Sequence, residues 1–134
     1  MNSNESYRQG MAAYNAGDYD EAIRRLEPLV GTSGATALLS RFYLGQAHHQ
    51  IALDHFAHRR FKEAAGRFER AAELNPFGGG VERFLAACYV KTGRLDRAVE
   101  KLKTLLARDP DDTETRVRLA LSLWKTAQVP VAME

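Results

Sequence analysis

A short internal repeat restricts the fold of this chain more than any other feature. Residues 17–23 read Gly-Asp-Tyr-Asp-Glu-Ala-Ile and residues 93–99 read Gly-Arg-Leu-Asp-Arg-Ala-Val, so glycine, aspartate, alanine and a β-branched residue recur in one register. Each copy separates two segments whose apolar residues follow the i, i+3, i+4 spacing of an amphipathic helix. Helical hairpins that repeat in this way bury their apolar faces against neighbouring hairpins. We therefore expect an all-α protein, an α-solenoid of antiparallel helix pairs.

Four repeat units account for the chain when these junctions are aligned with the prolines that follow them. The units are residues 3–37, 38–78, 79–112 and 113–134, and the last is only part of a unit. Together they predict a single domain, residues 1–134, with about seven helices.

The first junction carries two further signals. Asp18 followed by Glu21 is typical of a helix N-cap with its reciprocal acidic residue. Pro28 removes a backbone donor, so it should kink or shorten the second helix of the first repeat.

The second repeat contains an insertion of two helical turns. Residues 44–48 read Leu-Gly-Gln-Ala-His, and residues 51–55, seven positions later, read Ile-Ala-Leu-Asp-His. A shift of seven residues rotates a helix by only about 20°, so a lengthened helix keeps the same face inward. We expect one long helix from Ala37 to His58, whose extra turns protrude beyond the neighbouring hairpins or lean on a partner.

The fourth repeat ends early. Its first helix is expected to contain Leu119 and Trp124, after which Ala127 takes the place of the junction glycine and Ala132 that of the early alanine in the next helix. Because repeat arrays usually end with a complete polar capping helix, we expect the chain to be the N-terminal part of a longer protein.

These repeats resemble the tetratricopeptide repeat, a hairpin of about 34 residues with a small residue in helix A and an alanine early in helix B. In the first repeat the resemblance rests on Gly10, Tyr14, Gly17, Tyr19, Ala22, Leu26 and Leu29, and in the second on Ala64, Phe68, Ala71 and Pro76. In the third it rests on Leu85, Ala86, Tyr89, Gly93, Ala98, Leu102, Leu105 and Pro110. The resemblance implies a right-handed superhelix that binds a protein or peptide in a concave groove lined by the helix A faces.

The resemblance also implies which side chains line that groove. They are Tyr7, Met11, Tyr14, Phe42, Gln46, His49, Arg83, Ala87, Val90, Lys91, Val117, Leu121 and Trp124. Such a largely apolar groove favours an amphipathic helix or an extended peptide with aromatic and leucine anchors, and Arg83 and Lys91 would orient acidic flanking residues. Aromatic residues at helical spacing also serve as core residues, so Tyr14 and Trp124 have packing as an alternative role.

Some members of this family bind the carboxylate of a chaperone tail through lysine, asparagine and arginine side chains on helix A. Those positions hold Tyr7, Met11 and Tyr43 here. The resemblance therefore does not imply chaperone-tail binding.

All four histidines lie between His48 and His58. Asp54, His55 and His58 share a helical face and offer ligands to Zn²⁺ or Ni²⁺. A pH-sensitive contact is a second alternative. We favour a structural role, because His48 and His55 occupy equivalent packing positions in the two overlapping registers.

Charge and composition narrow the function. The 19 basic and 17 acidic residues leave a net charge of +2, too small to predict nucleic acid or an anionic membrane as partner. No apolar run approaches the roughly 18 residues of a membrane span, and the start has no secretion signal, so we expect a cytoplasmic protein. The single cysteine, Cys88, lies in an apolar helical stretch typical of a buried residue. No nucleophile motif or paired carboxylates are present, so we expect no enzymatic activity and no cofactor.

The sequence therefore predicts a non-catalytic adaptor or scaffold module that recognises a protein segment. Two alternatives remain open. One is an oligomerisation or regulatory domain of a larger enzyme or signalling protein, with self-association through an exposed C-terminal end. The other is metal or pH sensing through the histidine cluster. The identity of the partner is not encoded in any motif.

Overall fold

Helices account for nearly all of residues 2–76 and 80–133, which the computed structural model describes, residues 128–133 by their backbone alone. In chain order they are α1 Ser3–Asn15, α2 Tyr19–Leu26, α3 Ala35–Ala57, α4 Phe61–Leu74, α5 Val81–Lys91, α6 Leu95–Arg108 and α7 Thr113–Met133. A short 3₁₀ helix, Glu27–Leu29, follows α2. The part of the chain described contains no strand, and the predicted all-α fold class is confirmed.

The helices divide into two compact units, residues 1–78 and residues 79–134. In the first unit α1 packs against α2, both pack against α3, and α3 packs against α4. In the second unit α5 packs against α6, and α6 against α7. The border between the units coincides with the predicted border between the second and third repeats.

The turns at Gly17 and Gly93 have the same backbone geometry. Their φ angles are 81° and 78°, in the left-handed region that favours glycine. In each turn, the amide of the residue after the glycine donates to the carbonyl five residues earlier, at 2.9 and 2.8 Å. This arrangement is the Schellman motif, which ends the first helix of a hairpin and redirects the chain.

The turn between α3 and α4 has the same geometry without a glycine. Arg59 adopts a φ of 62°, and the amide of Arg60 donates to the carbonyl of His55 at 2.8 Å. The Arg59 guanidinium lies 5.7 Å from the centroid of the Phe61 ring. A left-handed conformation is uncommon for any residue but glycine, so this turn lacked the signal that marks the other two in the sequence.

At the first junction the N-cap at Asp18 and the effect of Pro28 are confirmed, but the reciprocal bond is not. The Glu21 carboxylate accepts from Arg24 and Arg25, and the Asp18 amide donates to the Ala13 carbonyl instead. The Asp18 carboxylate accepts a hydrogen bond from the Glu21 amide at 3.2 Å and caps α2. The α-helix ends at Leu26, and Pro28 lies in the 3₁₀ turn that follows.

The long helix of the second repeat is present as α3, which has 23 residues. Its contact with the end of α4 depends on Gly45. A Cβ atom built on Gly45 would lie 2.9 Å from Cγ of Asn75 and 3.3 Å from Cβ of Leu74. The glycine therefore permits a close approach that a larger residue would prevent.

The break expected at Ala127 is wrong, because α7 continues from Thr113 through Ala132 to Met133. The other hairpin turns place a residue in the left-handed conformation, which the Cβ of alanine disfavours. Alanine also has the highest helix propensity of any residue. The helix therefore passes through the position where the repeat pattern expected a turn.

Leucines form the core of the first unit. Leu26, Leu29, Leu44 and Leu74 are buried together, and Tyr7 and Tyr43 pack against them from α1 and α3. The second unit buries Leu85 and Leu102, from α5 and α6. Cys88 is buried in the same unit, and burial raises the pKa of its thiol to about 11, so the thiol remains protonated near neutral pH.

Candidate interaction surfaces

The predicted groove residues of α1 are half-buried rather than open. Tyr7 packs against the leucine cluster. The Tyr14 ring lies edge to face between Tyr19 and Tyr43, with ring centroids 5.6 and 5.3 Å away. Burial raises the pKa of both Tyr7 and Tyr14, so both phenols stay neutral. These rings join α1 to α2 and α3. Met11, the remaining predicted groove residue of α1, is also half-buried.

The predicted groove residues of α3 differ in their surroundings. Phe42 is exposed, although its ring touches the neighbouring Tyr43 at 5.1 Å between centroids. Gln46 is half-buried. The His49 ring packs edge to face on Phe68 of α4 at 5.7 Å, and burial lowers its pKa. Of the three, Phe42 offers the most apolar surface to a partner.

Two further apolar side chains are exposed close to Phe42. Leu38 and Leu39 lie in the first two turns of α3, and Leu38 is 71% exposed. They precede Phe42 by four and three residues and so share its helix face, but the repeat pattern assigned neither of them to the groove.

Among the predicted groove residues of α5, Arg83 forms an ion pair. Nη1 of Arg83 lies 2.6 Å from Oδ2 of Asp112, whose carboxylate also accepts hydrogen bonds from the Thr115 hydroxyl at 2.7 Å and the Thr115 amide at 3.3 Å. The bonds from Thr115 and then from Arg83 lower the pKa of Asp112 to about 2. Arg83 thus joins α5 to the start of α7. Ala87 and Val90 are half-buried and Lys91 is exposed.

The predicted residues of α7 form an exposed apolar stripe, which we call the α7 stripe. Val117, Leu121 and Trp124 follow one another at i, i+4 and i+7 and are 52%, 55% and 61% exposed. Thr115 and Ser122 are buried and lie about half a helical turn away from this stripe. One side of α7 therefore packs within its unit, and the opposite side presents large apolar side chains to solvent.

A separate cleft of about 820 Å³ lies in the first unit. One wall is the α1–α2 turn with the first two residues of α2, from Gly17 to Asp20, and the other is the last two turns of α3, from Gln50 to His55. Arg67 of α4 reaches the cleft from the side of the neighbouring helix. The sequence predicted that the extra turns of α3 would protrude, but it did not show that they form a cleft with this turn.

The four histidines have different environments along α3. His48 is buried, and its Nδ1 lies 3.1 Å from Nη1 of Arg67. Burial and then the Arg67 charge lower its pKa to about 4. In His55, Nδ1 is buried without a hydrogen-bond partner. The Nδ1 of His58 lies 2.8 Å from the Asp54 carbonyl oxygen and 3.6 Å from its carboxylate.

Asp54, His55 and His58 were the alternative metal ligands. In the described part of the chain, no group of three or more histidine, cysteine or acidic side chains converges as a metal site requires.

Within that same part, no helix is both long enough and apolar enough to cross a membrane.

Solved structures with a similar fold cover nearly the whole chain. A mutant of MamA matches with a TM-score of 0.60 and 18% identity, over 98% of this chain and 90% of that one. A second MamA mutant matches at 0.58 and 17% identity, over 97% and 86%. A chain in the structure of Naa15/Naa10 bound to HypK-THB matches at 0.50 and 16% identity, over 90% of this chain and 22% of that one.

Comparison with curated protein sequences gives no significant match. Profiles of the tetratricopeptide repeat, however, match residues 7–51 and residues 55–122. The two matches include the Gly17 and Gly93 junctions and all of α3 except residues 52–54, and the second alone spans half of the chain. The chain therefore belongs to the tetratricopeptide repeat family, whose helical hairpins serve as scaffolds for protein–protein interaction.

Proposed function

We propose that this protein is a non-catalytic adaptor module that binds a partner protein through the helix A faces of its repeats. The observation that carries the proposal is the α7 stripe. Three large apolar side chains at successive turns of one helix remain exposed, and contiguous exposed apolar surface of this kind marks interaction sites.

An amphipathic helix with apolar anchors is the partner segment that this surface fits best. Anchors at i, i+3 or i+4 and i+7 of such a helix face the same side and meet the matching spacing of the α7 stripe. Full burial of a large apolar side chain contributes roughly 1.5–3 kcal/mol, and tryptophan is enriched among residues that dominate interface energy. Trp124 is therefore the proposed central contact.

The remaining predicted groove positions are proposed to play unequal parts. Phe42 has exposed apolar surface to offer, whereas Tyr7, Tyr14 and His49 act mainly by packing their helices together. On α5, the Asp112 carboxylate holds the Arg83 guanidinium in one position. Arg83 and Lys91 are proposed to orient acidic residues beside the anchors of the partner.

The experiment is an affinity capture from the source cell with two matched variants. Leu121→Glu places a charge in the α7 stripe, whereas Leu123→Glu places the same charge on another side of the same helix, where Leu123 is 45% exposed. We expect a partner that the unaltered protein and Leu123→Glu retain and Leu121→Glu loses. A partner set that is the same for all three proteins would contradict the proposal.

Light scattering at several concentrations separates this function from self-association. The α7 stripe would also suit a second copy of the chain, and a dimer that Leu121→Glu dissociates would support the oligomerisation alternative. A constant monomeric mass supports the adaptor function.

A further inference from the structure

The cleft of the first unit exists because α3 is too long for its neighbours. Leu44 and His48 are buried, and the positions seven residues later on the same face are Ile51 and His55. Those later positions line the cleft opposite the α1–α2 turn instead of packing against a full helix. The two extra turns of α3 thus repeat the face that is buried earlier in the helix. Opposite this repeated face lie only the α1–α2 turn and the start of α2, not a full helix.

One part of the cleft lining is acidic. Asp18, Asp20 and Asp54 all contribute, from both walls. Asp18 uses Oδ1 to accept the amide of Glu21 and cap α2. Asp20 and Asp54 are exposed. Within the described residues the Asp20 carboxylate makes no ion pair or hydrogen bond, and the Asp54 carboxylate has a 3.6 Å contact with Nδ1 of His58.

Another part of the lining is apolar. Ile51 and Leu53 are half-buried on α3, and the Tyr19 ring lies on the opposite wall. Because Ile51 and Leu53 are less exposed than Asp20 and Asp54, an aliphatic stem that packs on these apolar side chains can place its polar end beside the more exposed carboxylates. Arginine and lysine have this combination of an apolar stem and a cationic end.

The guanidinium of Arg67 and a ring nitrogen of His55 complete the lining. Arg67 reaches the cleft while its Nη1 contacts Nδ1 of the buried His48. The Nδ1 atom of His55 is buried without a hydrogen-bond partner.

We propose that this cleft binds an extended segment of a partner protein that presents an arginine or lysine between apolar residues. The cation lies among the carboxylates of Asp18, Asp20 and Asp54, its stem contacts Ile51 and Leu53, and the backbone of the segment accepts from Arg67. The inference rests on the proposed role in protein binding, but the cleft shares no residue with the α7 stripe. Failure of one site therefore leaves the other intact.

The test is a titration of the ¹⁵N-labelled full chain with two peptides, followed by NMR. The first is N-acetyl-Gly-Leu-Arg-Leu-Gly-amide, and the second has citrulline, which is isosteric and uncharged, in place of arginine. We expect the arginine peptide to shift the amides of residues 17–20 and 50–55. The citrulline peptide should bind at least about fivefold more weakly, as expected for the loss of ion pairs at a partly exposed site.

Paired variants locate the charge effect. Asp20→Asn combined with Asp54→Asn should weaken binding of the arginine peptide at least about fivefold. Asp96→Asn is the matched control, because Asp96 occupies the position of Asp20 in the repeat pattern, is exposed and lies outside the cleft. Asp18 is left unchanged, since losing its N-cap bond would destabilise α2.

Three results would overturn the inference: no shifts at the cleft with millimolar arginine peptide, equal binding of the citrulline peptide, or equal weakening by Asp96→Asn. Thermal unfolding of each variant, followed by circular dichroism, must match that of the unaltered protein. Retention of a captured partner by the Asp20 and Asp54 double variant, together with its loss from Leu121→Glu, would place that partner on the α7 stripe and overturn the cleft as its binding site.

Discussion

At the residue scale, Arg59 shows that a hairpin turn of this chain can have the same geometry as the glycine turns without a glycine. The turns at Gly17 and Gly93 contain glycine where φ is positive, and Arg59 adopts the same conformation with a side chain. A non-glycine residue in this region costs roughly 1–2 kcal/mol. Packing of α3 against α4 is extensive enough to hold the turn despite that cost.

Arg59→Gly is therefore expected to raise the free energy of unfolding by about 0.5–1 kcal/mol. The gain is limited because the substitution also removes the contact between the guanidinium and the Phe61 ring. Urea denaturation measures the change. Gly93→Ala is the matched opposite: a Cβ there meets no atom within 4 Å, so its expected loss of about 1 kcal/mol arises from the backbone alone. A clear loss of stability in Arg59→Gly would contradict this account of the turn.

A second residue-scale prediction concerns His48 and pH. Its pKa is about 4 in the folded protein and near 6.5 when the chain is unfolded, because burial and the Arg67 charge disfavour the protonated form. The unfolded state therefore binds protons first as pH falls. The stability associated with His48 is fully present above about pH 6.5 and is lost between pH 6.5 and 4, by roughly 3 kcal/mol at most.

Urea denaturation at several pH values in this window tests the prediction. His48→Gln keeps an acceptor for Arg67 but cannot titrate, so its stability should depend less on pH. Some dependence should remain, since burial also lowers the pKa of His49. His58→Gln, at an exposed position, is the control. The explanation fails if His48→Gln and the unaltered protein lose the same stability from pH 6.5 to 4.

At the scale of the helical elements, two glycines in the hairpin of α3 and α4 have opposite effects on stability. Gly45 lies where α3 meets Leu74 and Asn75, and an added Cβ would clash with the Asn75 side chain. Gly66 lies in α4, is exposed, and an added Cβ there would meet nothing within 4 Å. The first glycine is needed for packing, whereas the second only weakens its helix.

Gly45→Ala is thus expected to lower the free energy of unfolding by about 1–3 kcal/mol, as for other overpacked contacts. Gly66→Ala is expected to raise it by about 0.5–1 kcal/mol through helix propensity. Thermal and urea unfolding of the two variants give the comparison. A stabilising Gly45→Ala would show that α3 and α4 can separate without cost.

The sequence predicted the long helix α3 better than it predicted the turn at Arg59 or the continuous helix at Ala127. The shift of seven residues between residues 44–48 and 51–55 predicted the length of α3, because a helix lengthened by two turns keeps its buried face. The turn at Arg59 carries no glycine, and Ala127 looks like a degenerate junction although it is a good helix former. Repeat patterns thus predict helices better than they predict a turn whose marker residue has changed.

At the scale of the whole molecule, the repeat pattern predicted which helix faces would line a groove, but it did not predict the burial of each side chain. Val117, Leu121 and Trp124 are exposed, as a binding surface requires. Tyr14 and His49 instead pack on aromatic rings of neighbouring helices. Whether an aromatic residue packs or remains open depends on the partner helix opposite it, which helical periodicity in one segment does not specify.

The repeat pattern in the sequence also did not predict the cleft of the first unit. Its acidic residues come from the α1–α2 turn and from α3, which are more than 30 residues apart in the chain. Each aspartate alone is typical of a solvated turn or helix face. Only the packing of α2 against α3 brings them to the walls of one space.

The central claim, that the α7 stripe binds a partner protein, is tested most directly through Trp124, the single tryptophan of the chain. Its emission is recorded with and without the partner obtained by affinity capture, along with quenching by iodide. We predict the red-shifted, strongly quenched emission of an exposed indole in the protein alone, then a blue shift and reduced quenching when the partner is added. Leu121→Glu should abolish that change and Leu123→Glu should preserve it. Emission that stays exposed and quenched when the partner binds would contradict the account.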